Sequence, residues 1–378
     1  MFLGGDVRLF GVGADDVKRP FSRIRDVLHA EDFVYANLEG AFHDEVDPYE
    51  HYSKMGWLHP GTAGARALLE GNFAAVGLAN NVIVGGAAIK STISILDGLG
   101  IAYTGAGMDL QSARAPAVVE RNGVRYGFLQ RTSIFWPFHH KAVPKGPTKI
   151  RDIRYHHGNL SKRTFEFYGA PGVATIRPHT AYEPSYESMF EAGGAAIIHT
   201  WPDADDLEDF VDDIKALRPQ VDVLVTSNHW RVTTGLPGGP PIGRLARDFR
   251  IEVAHAAIDA GADIVASHGT HFIEEIEVYK GKAIFYGLGE LFFGLPSDYV
   301  PHYDEIQRTK LLARIEVKGK SINRVSCRLL NPGGYSYQYE TVLRTPGEEP
   351  KAIEYLQEIS SKFNTKLHVG KDDITVVG

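Results

Sequence analysis

Residues 261–272 read GADIVASHGTHF, an apolar run that closes on two histidines, His268 and His271. The run has the length and composition of a buried strand, and the glycine-containing turn after it lets two imidazoles three positions apart converge on one point. A lone histidine after a strand is more often bonded locally than bound to a metal. The stretch therefore predicts either a structural turn or a metal site, and the remaining sequence has to distinguish them.

The same kind of apolar run recurs along the chain. Short apolar runs alternate with helical patterns over most of the first 290 residues, which is typical of parallel strands covered by helices on both faces. We expect strands at 2–10, 33–38, 73–79, 101–104, 195–199, 221–227 and 263–267. Helical spacing marks 14–32, 61–71, 84–100, 203–219 and 243–261. Hairpins with Asn-Gly or Lys-Gly turns are expected within 115–130, 274–293 and 311–330, followed by a helix near 348–362 and a short terminal strand.

Composition limits the functions that this chain can have. It has 378 residues, 43% hydrophobic and 23% charged, which suits one large globular domain or two modest ones. Its net charge of -7 disfavours a nucleic-acid partner, because such a partner needs a basic surface. The single cysteine, Cys327, cannot form an internal disulfide and lies in a strand-like run, so we expect a buried structural thiol.

The N-terminal region also bears on location. Asp6 and Arg8 interrupt the apolar run that a signal peptide would need, and no later stretch approaches the length of a membrane span. We therefore expect a cytoplasmic protein with no membrane partner.

Polar side chains follow the predicted strands at the points where they end. In parallel sheets these ends meet at one edge, where ligands bind. In chain order the ends carry Asp6, Asn37 and Glu39, Asn80 and Asn81, Asn228 and His229, and His268 and His271. Each residue alone could form a turn or cap a helix. Together they would place several polar and charged groups close to one another, and a pair of divalent cations would remove the electrostatic cost of that arrangement. Carboxylate, amide and imidazole ligands without a thiolate suit Mn, Fe, Zn, Co or Mg.

Several of these motifs resemble a known family in order and spacing. They are GDVRLFG, NLEG, LANN, GIAYTGAG, VDVLVTSNHW and the block AIDAGADIVASHGTHFIEEIEVYKGKAIFYGLGELFF at 257–293. They resemble the CapA family of poly-gamma-glutamate synthesis proteins over roughly residues 2–293. The resemblance implies an α/β fold, a four-layered metallophosphatase-like (calcineurin-like) α/β/β/α sandwich with mixed sheets. Together with the hairpin and helix patterns after residue 310, this leads us to expect a single domain over 1–378, with antiparallel strands and a helix at 310–378.

The resemblance also implies a set of metal ligands. It places Asp6 on one metal, gives Glu39 the bridging position and lets Asn81 supply an amide oxygen. His229, His268 and His271 would complete the sites for two divalent metal ions. The two histidines of the opening stretch are thus expected to be ligands.

The chain departs from the family pattern at positions that matter for the reaction. Val82 stands where the family has a histidine that protonates a leaving group, and a valine cannot transfer a proton. Gly269 replaces a further histidine, and Arg231 replaces a glycine. The family's SLGN is GLGE here, which introduces Gly287 and Glu290. These departures put a conventional phosphoesterase in doubt.

Other residues are candidates for the missing roles. Glu290 and His199 are candidate catalytic acids or bases, which only geometry can decide between. Arg8, Lys54, Arg131 and Arg231 are candidates for binding an anionic substrate, with a solvated surface role as the alternative for each. The aromatic and basic stretch 131–190 has no clear period, and we interpret it as a substrate-facing insertion rather than a mobile surface loop.

These expectations lead to one main hypothesis and two alternatives. The main hypothesis is a metal-dependent hydrolase that cleaves an amide or phosphoester bond in a small or peptide-like, anionic substrate. One alternative is a metal-assisted epimerase or related proton-transfer enzyme acting on a peptide or amino acid. The other is a non-catalytic protein that binds or assembles an anionic polymer such as poly-gamma-glutamate.

Overall fold

The structure is a computed structural model of the chain. It describes residues 1–43, 58–83, 85–135, 141–149, 164–190, 196–230, 244–295, 303–335 and 338–377.

The described residues form strands and helices in mixed order. The strands are β1 Phe2–Arg8, β2 Val34–Leu38, β3 Ala41–His43, β4 Leu58–Pro60, β5 Phe73–Gly77, β6 Ala102–Thr104, β7 Ala106–Gly107, β8 Ala117–Arg121, β9 Val124–Thr132, β10 Val143–Lys149, β11 Thr164–Ala170, β12 Gly172–Val173, β13 Pro178–Glu183, β14 Ile197–Pro202, β15 Val223–His229, β16 Arg244–Arg247, β17 Ile264–His268, β18 Ile276–Tyr279, β19 Lys282–Phe285, β20 Glu290–Phe293, β21 Lys310–Lys318, β22 Ser321–Asn331, β23 Val342–Arg344, β24 Lys366–Val369 and β25 Ile374–Val377. The helices are α1 Arg25–His29, α2 Gly61–Glu70, α3 Gly86–Leu99, α4 Leu110–Arg114, α5 Tyr186–Phe190, α6 Ala204–Leu217, α7 Phe249–Ala260, α8 Glu305–Arg308 and α9 Pro350–Ser361, with a 3₁₀ turn at Arg218–Gln220.

Two mixed sheets dominate the described structure. The first has the strand order β24-β25-β22-β21-β1-β2-β5-β6, with β20 beside β1 and β23 beside β22. Its strands β1, β2, β5 and β6 run parallel, and the C-terminal strands β21, β22, β24 and β25 extend it in antiparallel pairs. The second sheet has the order β18-β19-β17-β15-β9-β8, in which β9, β15, β17 and β19 run parallel.

The two sheets pack face to face and carry helices on their outer faces. Their inner faces share one buried core that includes Tyr35 of the first sheet and Phe128 of the second, whose rings stack 4.4 Å apart. A second core lies between the first sheet and helices α2 and α3, and a third lies between the second sheet and helices α6 and α7. This arrangement confirms the expected four-layered α/β/β/α sandwich.

Strand alternation decides which side chains reach the space between the sheets. On β15, Val223 and Val225 belong to the inner core, while Leu224 belongs to the core under the helices. Side chains alternate between the two faces of a strand, so Ser227 and His229 also face inward. The inner faces of the parallel strands therefore deliver their last residues to one edge of the sandwich.

Three expected elements differ from the structure. Within 14–32 only Arg25–His29 is helical, because Pro20 and the turns before it interrupt the helical pattern. Within 243–261 the residues Arg244–Arg247 form a strand beside β14, and α7 begins only after Asp248, whose carboxylate accepts a hydrogen bond from the Arg250 backbone N–H. The short terminal strand is a hairpin of β24 and β25.

Stretch 131–190 contains regular structure. Strands β10 and β11 pair antiparallel, β12 pairs with β7, and β13 pairs with β14. Residues 136–140 and 150–163 lie outside the described residues, and the position of this stretch over a substrate stays a prediction.

The cysteine has the expected structural role. Cys327 is fully buried in the core between the sheets, and burial raises the pKa of its thiol to about 12. A thiol in this environment stays protonated and packs as a small apolar group.

Candidate metal centre

A cluster of acidic and imidazole side chains lies between the sheets at the carboxyl ends of the parallel strands. Asp6 comes from β1, Glu39 directly follows β2, and His229 ends β15. All three residues are at most 1% exposed. One ligand atom from each lies within 4.8 Å of the other two, and among the described histidine, cysteine and acidic residues this is the group with metal-site spacing. Asp6, Glu39 and His229 can therefore hold a metal ion.

Neighbouring groups hold the Asp6 carboxylate in place. Asn37 Nδ2 donates a hydrogen bond to its Oδ1 over 2.8 Å, and the Gly269 backbone N–H donates to its Oδ2 over 3.1 Å. Burial, and then the charge of Glu39, raises the pKa of Asp6 to about 7. The buried carboxylates of Asp6 and Glu39 repel each other at this distance, and a cation between them would remove the energetic cost of that repulsion.

Several donor atoms of the cluster have no hydrogen bond in the described structure. They are Glu39 Oε2, both ring nitrogens of His229 and the Nδ1 atoms of His268 and His271. The shortest contact of the His229 ring with an acid is 3.7 Å, from Nε2 to Glu39 Oε1. Buried polar atoms normally find partners, so these atoms fit a group that binds them directly. Carboxylate oxygen and imidazole nitrogen without thiolate suit a divalent ion such as Mn, Fe, Zn, Co or Mg.

His268 has a different environment from His229, although the two residues are paired across β15 and β17. His268 Nε2 lies 3.0 Å from the Ser227 hydroxyl oxygen, on the inner side of the sandwich. Burial, and then the neighbouring His229, lowers the pKa of His268 to about 3, so its ring is neutral near pH 7. In this structure the Nε2 atom is thus engaged with a protein partner.

His271 lies on the solvent side of the cluster, with 24% of its side chain exposed. Its Nδ1 is 3.4 Å from Asp6 Oδ2 and 3.4 Å from Glu290 Oε1, and its Nε2 is 3.8 Å from Glu39 Oε1. Burial would lower the pKa of His271, but Glu39 and Glu290 outweigh it and raise the pKa to about 9. The residue has φ of 63°, a left-handed conformation uncommon outside glycine.

The asparagine pair occupies the turn after β5. Asn80 is fully buried, where its Nδ2 donates to the Leu38 carbonyl and its Oδ1 accepts from the backbone N–H groups of Val82 and Ile83. Asn81 is half-buried beside it, and its role as a ligand stays a prediction. Val82 is 6% exposed, so an apolar side chain stands where the family resemblance implies a proton donor.

Arg8 lies on the same side of β1 as Asp6. It is 3% exposed, and its guanidinium is 5.2 Å from the centre of the Phe293 ring. Burial lowers the pKa of Arg8 to about 10, and the charges of Glu39 and Glu290 oppose this shift. Arg8 is therefore a buried positive charge at the cluster.

The other predicted residues lie in different places. Arg131 faces the helices on the outer side of the second sheet, where its guanidinium pairs with Asp213 and lies 5.3 Å from the Phe210 ring centre. Alternate side chains of one strand face opposite ways, so this position does not support a role at the cluster, and the expected role of Arg131 in substrate binding stays a prediction. His199 pairs with Glu183 on the separate sheet of β13, β14 and β16. Lys54 and Arg231 lie outside the described residues.

Glu290, in contrast, lies at the cluster together with residues that the sequence did not single out. The Tyr335 hydroxyl donates to Glu290 Oε2, and Lys310 Nζ lies 3.8 Å from the same oxygen. Lys310 is fully buried, with its Nζ 4.6 Å from the centre of the Phe272 ring and 5.3 Å from that of Tyr303, and it donates a hydrogen bond to the Gln307 carbonyl. In the sequence it is one lysine at the start of an apolar strand, and no local pattern marks it.

Gln130 is a further residue that sequence reasoning missed. Its Nε2 donates to Asn37 Oδ1 over 3.0 Å, and its Oε1 accepts from the Ala79 backbone N–H over 2.6 Å. A Cβ at Gly77 would lie 2.4 Å from the Gln130 amide, so the glycine leaves the space that the amide fills. The available signal was a polar residue at the end of the apolar run of β9.

No helix in the described ranges combines the length and apolar character needed to cross a membrane.

Comparisons with known proteins identify a family for this chain. The family model described as "Bacterial capsule synthesis protein PGA_cap" matches residues 2–295. A probable polyglutamine synthesis accessory protein of Mycobacterium tuberculosis is 28% identical over 284 residues, covering 73% of this chain and 60% of that protein. The PGA biosynthesis protein CapA of Bacillus subtilis is 24% identical over 284 residues, covering 74% of this chain and 57% of that protein. The chain thus spans less than two thirds of the length of these relatives.

Among solved structures, a hypothetical protein from Thermus thermophilus aligns with 88% of this chain and 98% of its own length. The alignment has a TM-score of 0.43 and 12% sequence identity.

Proposed function

The chain belongs to the PGA_cap family of bacterial capsule synthesis proteins, and we propose that it is a divalent-metal-dependent hydrolase for an amide or phosphoester bond. The substrate would be small or peptide-like and anionic. The observation that carries the proposal is the buried group Asp6, Glu39 and His229, in which Glu39 Oε2 and both His229 ring nitrogens lack hydrogen-bond partners among the described residues. A cytoplasmic location stays a prediction of the sequence.

The ligands of the ion are part of the proposal. Asp6, Glu39 and His229 would hold it, with His271 at 3.4 Å from Asp6 on the solvent side. Asn81 and His268 remain candidates from the family resemblance, and His268 would first have to release Ser227. Bound there, a divalent ion would supply Lewis-acid polarisation of a substrate carbonyl or phosphoryl oxygen.

The chain's own residues would bind and orient the substrate around this point. Arg8 carries a positive charge beside Asp6 and is suited to an anionic group. Glu290 is the better placed of the two candidate acids or bases, because its Oε1 lies 3.4 Å from His271. His199 pairs with Glu183 on another sheet, which does not support a role at the cluster.

Metal content and activity test this proposal together. The purified full chain would be analysed for metals by inductively coupled plasma mass spectrometry and assayed on a generic phosphodiester and on a panel of amides, with and without a chelator. Glu39→Gln preserves shape but removes a charged ligand, and it should lower both metal content and activity. Glu120→Gln, an exposed acid on β8, is the matched control and should change neither. Undiminished metal content in Glu39→Gln, or no metal in the wild-type chain, would refute the proposal.

Val82 supports a second candidate function. An apolar residue at this position cannot protonate a leaving group, as the family's histidine is expected to do. A metal ion that polarises a substrate carbonyl would still make the C–H group next to that carbonyl more acidic. The chain could then catalyse epimerisation or a related proton transfer on a peptide or amino acid. Incubation of candidate peptides in heavy water separates the two reactions, because proton transfer incorporates deuterium without cleavage.

The names of the relatives support a third, non-catalytic candidate. They are described as a polyglutamine synthesis accessory protein and a PGA biosynthesis protein, and an anionic polymer would suit the charge of Arg8. In that case poly-gamma-glutamate would bind to the purified chain and shift its thermal midpoint, with no turnover of any substrate in the panel.

A further inference from the structure

Among the described residues, the charges around the cluster are close to balance without any ion. Asp6, Glu39 and Glu290 are buried carboxylates, each at most 2% exposed. Arg8 and Lys310 are buried cations, at 3% and 0%. Lys310 Nζ lies 3.8 Å from Glu290 Oε2, and the guanidinium of Arg8 interacts with the charges of Glu39 and Glu290.

This balance limits how much positive charge the site can accept. With His271 neutral, as expected for an imidazole beside a bound cation, and the other described groups in their ordinary ionised forms, the formal charge of the set is about one negative unit. One divalent ion would leave about one positive unit, which a single anionic group of a substrate could match. Two divalent ions would leave about three positive units in a buried space, at a high electrostatic cost.

The positions of the possible ligands also favour one ion over two. Among the described residues, Asp6, Glu39 and His229 form the group with metal-site spacing. His268 Nε2 is engaged with Ser227 at 3.0 Å. At Gly269 a Cβ would lie 3.0 Å from the ring of His229, so the glycine leaves room for that ring and offers no ligand of its own.

We infer that the centre holds one divalent ion per chain, and that Arg8 and Lys310 supply positive charge in place of a second ion. This revises the two ions expected from the sequence. The inference rests on the proposed metal-binding function and adds the number of ions to it. It also assigns a role to Lys310, a buried cation that the proposed hydrolysis does not otherwise use.

Stoichiometry tests the number directly. The full chain would be stripped with a chelator, incubated with excess Mn²⁺, freed of unbound metal by gel filtration and analysed by inductively coupled plasma mass spectrometry. We expect one Mn²⁺ per chain, and isothermal titration calorimetry should show one binding event. Two ions per chain would overturn this inference and leave the proposed function standing. No bound ion would overturn both.

Charge removal tests the role of the cations independently of activity. Lys310→Met keeps the length of the side chain and removes its charge, so a second Mn²⁺ should bind about tenfold more tightly than it does to the wild-type chain. Arg8→Met removes the other charge and should act in the same direction, so the test survives if one variant fails to fold. Lys320→Met, an exposed lysine with 69% of its side chain accessible, is the control and should match the wild-type chain. A wild-type titration in folded Lys310→Met and Arg8→Met would overturn the inference.

Discussion

Gln130 of the second sheet donates a hydrogen bond to Asn37 of the first sheet, with 3.0 Å between Nε2 and Oδ1. Asn37 in turn donates from Nδ2 to Asp6 Oδ1 over 2.8 Å. A buried amide on one sheet thus orients a carboxylate on the other. This connection sets the second oxygen of Asp6 towards Gly269 and His271.

Replacing Gln130 should weaken both the fold and metal binding. Gln130→Met keeps the size of the side chain but leaves the Ala79 N–H without its buried acceptor, so we expect a loss of about 1–3 kcal/mol in the free energy of unfolding. Metal affinity should fall as well, because Asp6 loses its fixed orientation. Urea unfolding and calorimetric titration measure the two effects. Gln111→Met, at an exposed glutamine, is the control, and an equal loss in both variants would contradict the role of the sheet-to-sheet bond.

Lys310 should give the metal-free protein a pH-dependent stability on the alkaline side. Burial lowers the pKa of Lys310 from 10.5 to about 8, and Glu290 and Asp6 oppose the shift. Between these values the unfolded chain binds the proton more strongly, so this residue makes the folded state more stable as pH rises from about 8 to 10.5. The contribution is at most about 1.4 kcal/mol per pH unit.

The measurement compares unfolding free energies of the wild-type chain and Lys310→Met across that pH range in the presence of a chelator. The unfolding free energy of the wild-type chain should rise relative to that of Lys310→Met as the pH increases from about 8 to 10.5. Lys320→Met, at the exposed ion pair with Asp222, should follow the wild-type profile more closely. A constant difference between wild type and Lys310→Met would show that Lys310 does not titrate within the window.

Arg131 should prove structural rather than functional. Its guanidinium is buried against Asp213 and the Phe210 ring, and Arg131→Met would leave Asp213 with Arg114 as an ion-pair partner in the described structure. We expect a loss of about 2–4 kcal/mol in the free energy of unfolding with unchanged metal stoichiometry. Chemical denaturation and metal analysis check this, with the exposed Arg121→Met as control. A stable variant with weakened substrate binding would restore the role that the sequence suggested.

Val82 offers a gain-of-function test. Val82→His would introduce a proton donor at a position that is 6% exposed, and it should raise phosphodiesterase activity if the missing acid limits the reaction. The assay compares kcat in the metal-loaded variant with that of the wild-type chain. Val82→Gln has a similar size without a transferable proton and should show no gain. Equal rates in the wild-type chain, Val82→His and Val82→Gln would mean that the missing acid does not limit the reaction, and that the substrate pocket differs from that of a phosphodiesterase.

Much of the architecture was readable from local patterns. Runs such as 221–227 and 263–267 became β15 and β17 with boundaries shifted by one or two residues, because apolar content and turn residues act locally. The error in the expected helix at 243–261 has a non-local cause. At 243–261 the helical spacing continued into Arg244–Arg247, but these residues pair with β14, and pairing with a distant strand leaves no signal in the spacing.

The candidate site was likewise predicted only in part from the sequence. The sequence placed Asp6, Glu39 and His229 at strand ends, and parallel strands bring such ends to a common edge. Arg131 also stood at a strand end, yet it faces the helices, because its neighbour Gln130 takes the inward position on β9. Which of two adjacent residues points inward depends on register, and register depends on the packing of the opposite face.

The sequence by itself therefore determined many of the elements, the presence of parallel strands and the donor types at several strand ends, since these follow from side-chain chemistry and period. Only the tertiary structure decided that two separate sheets would bring Asp6 and His229 together and bury Lys310 beside Glu290. Contacts between residues distant in the chain arise from packing two complete faces together. No short stretch of sequence contains the shape of the opposing face.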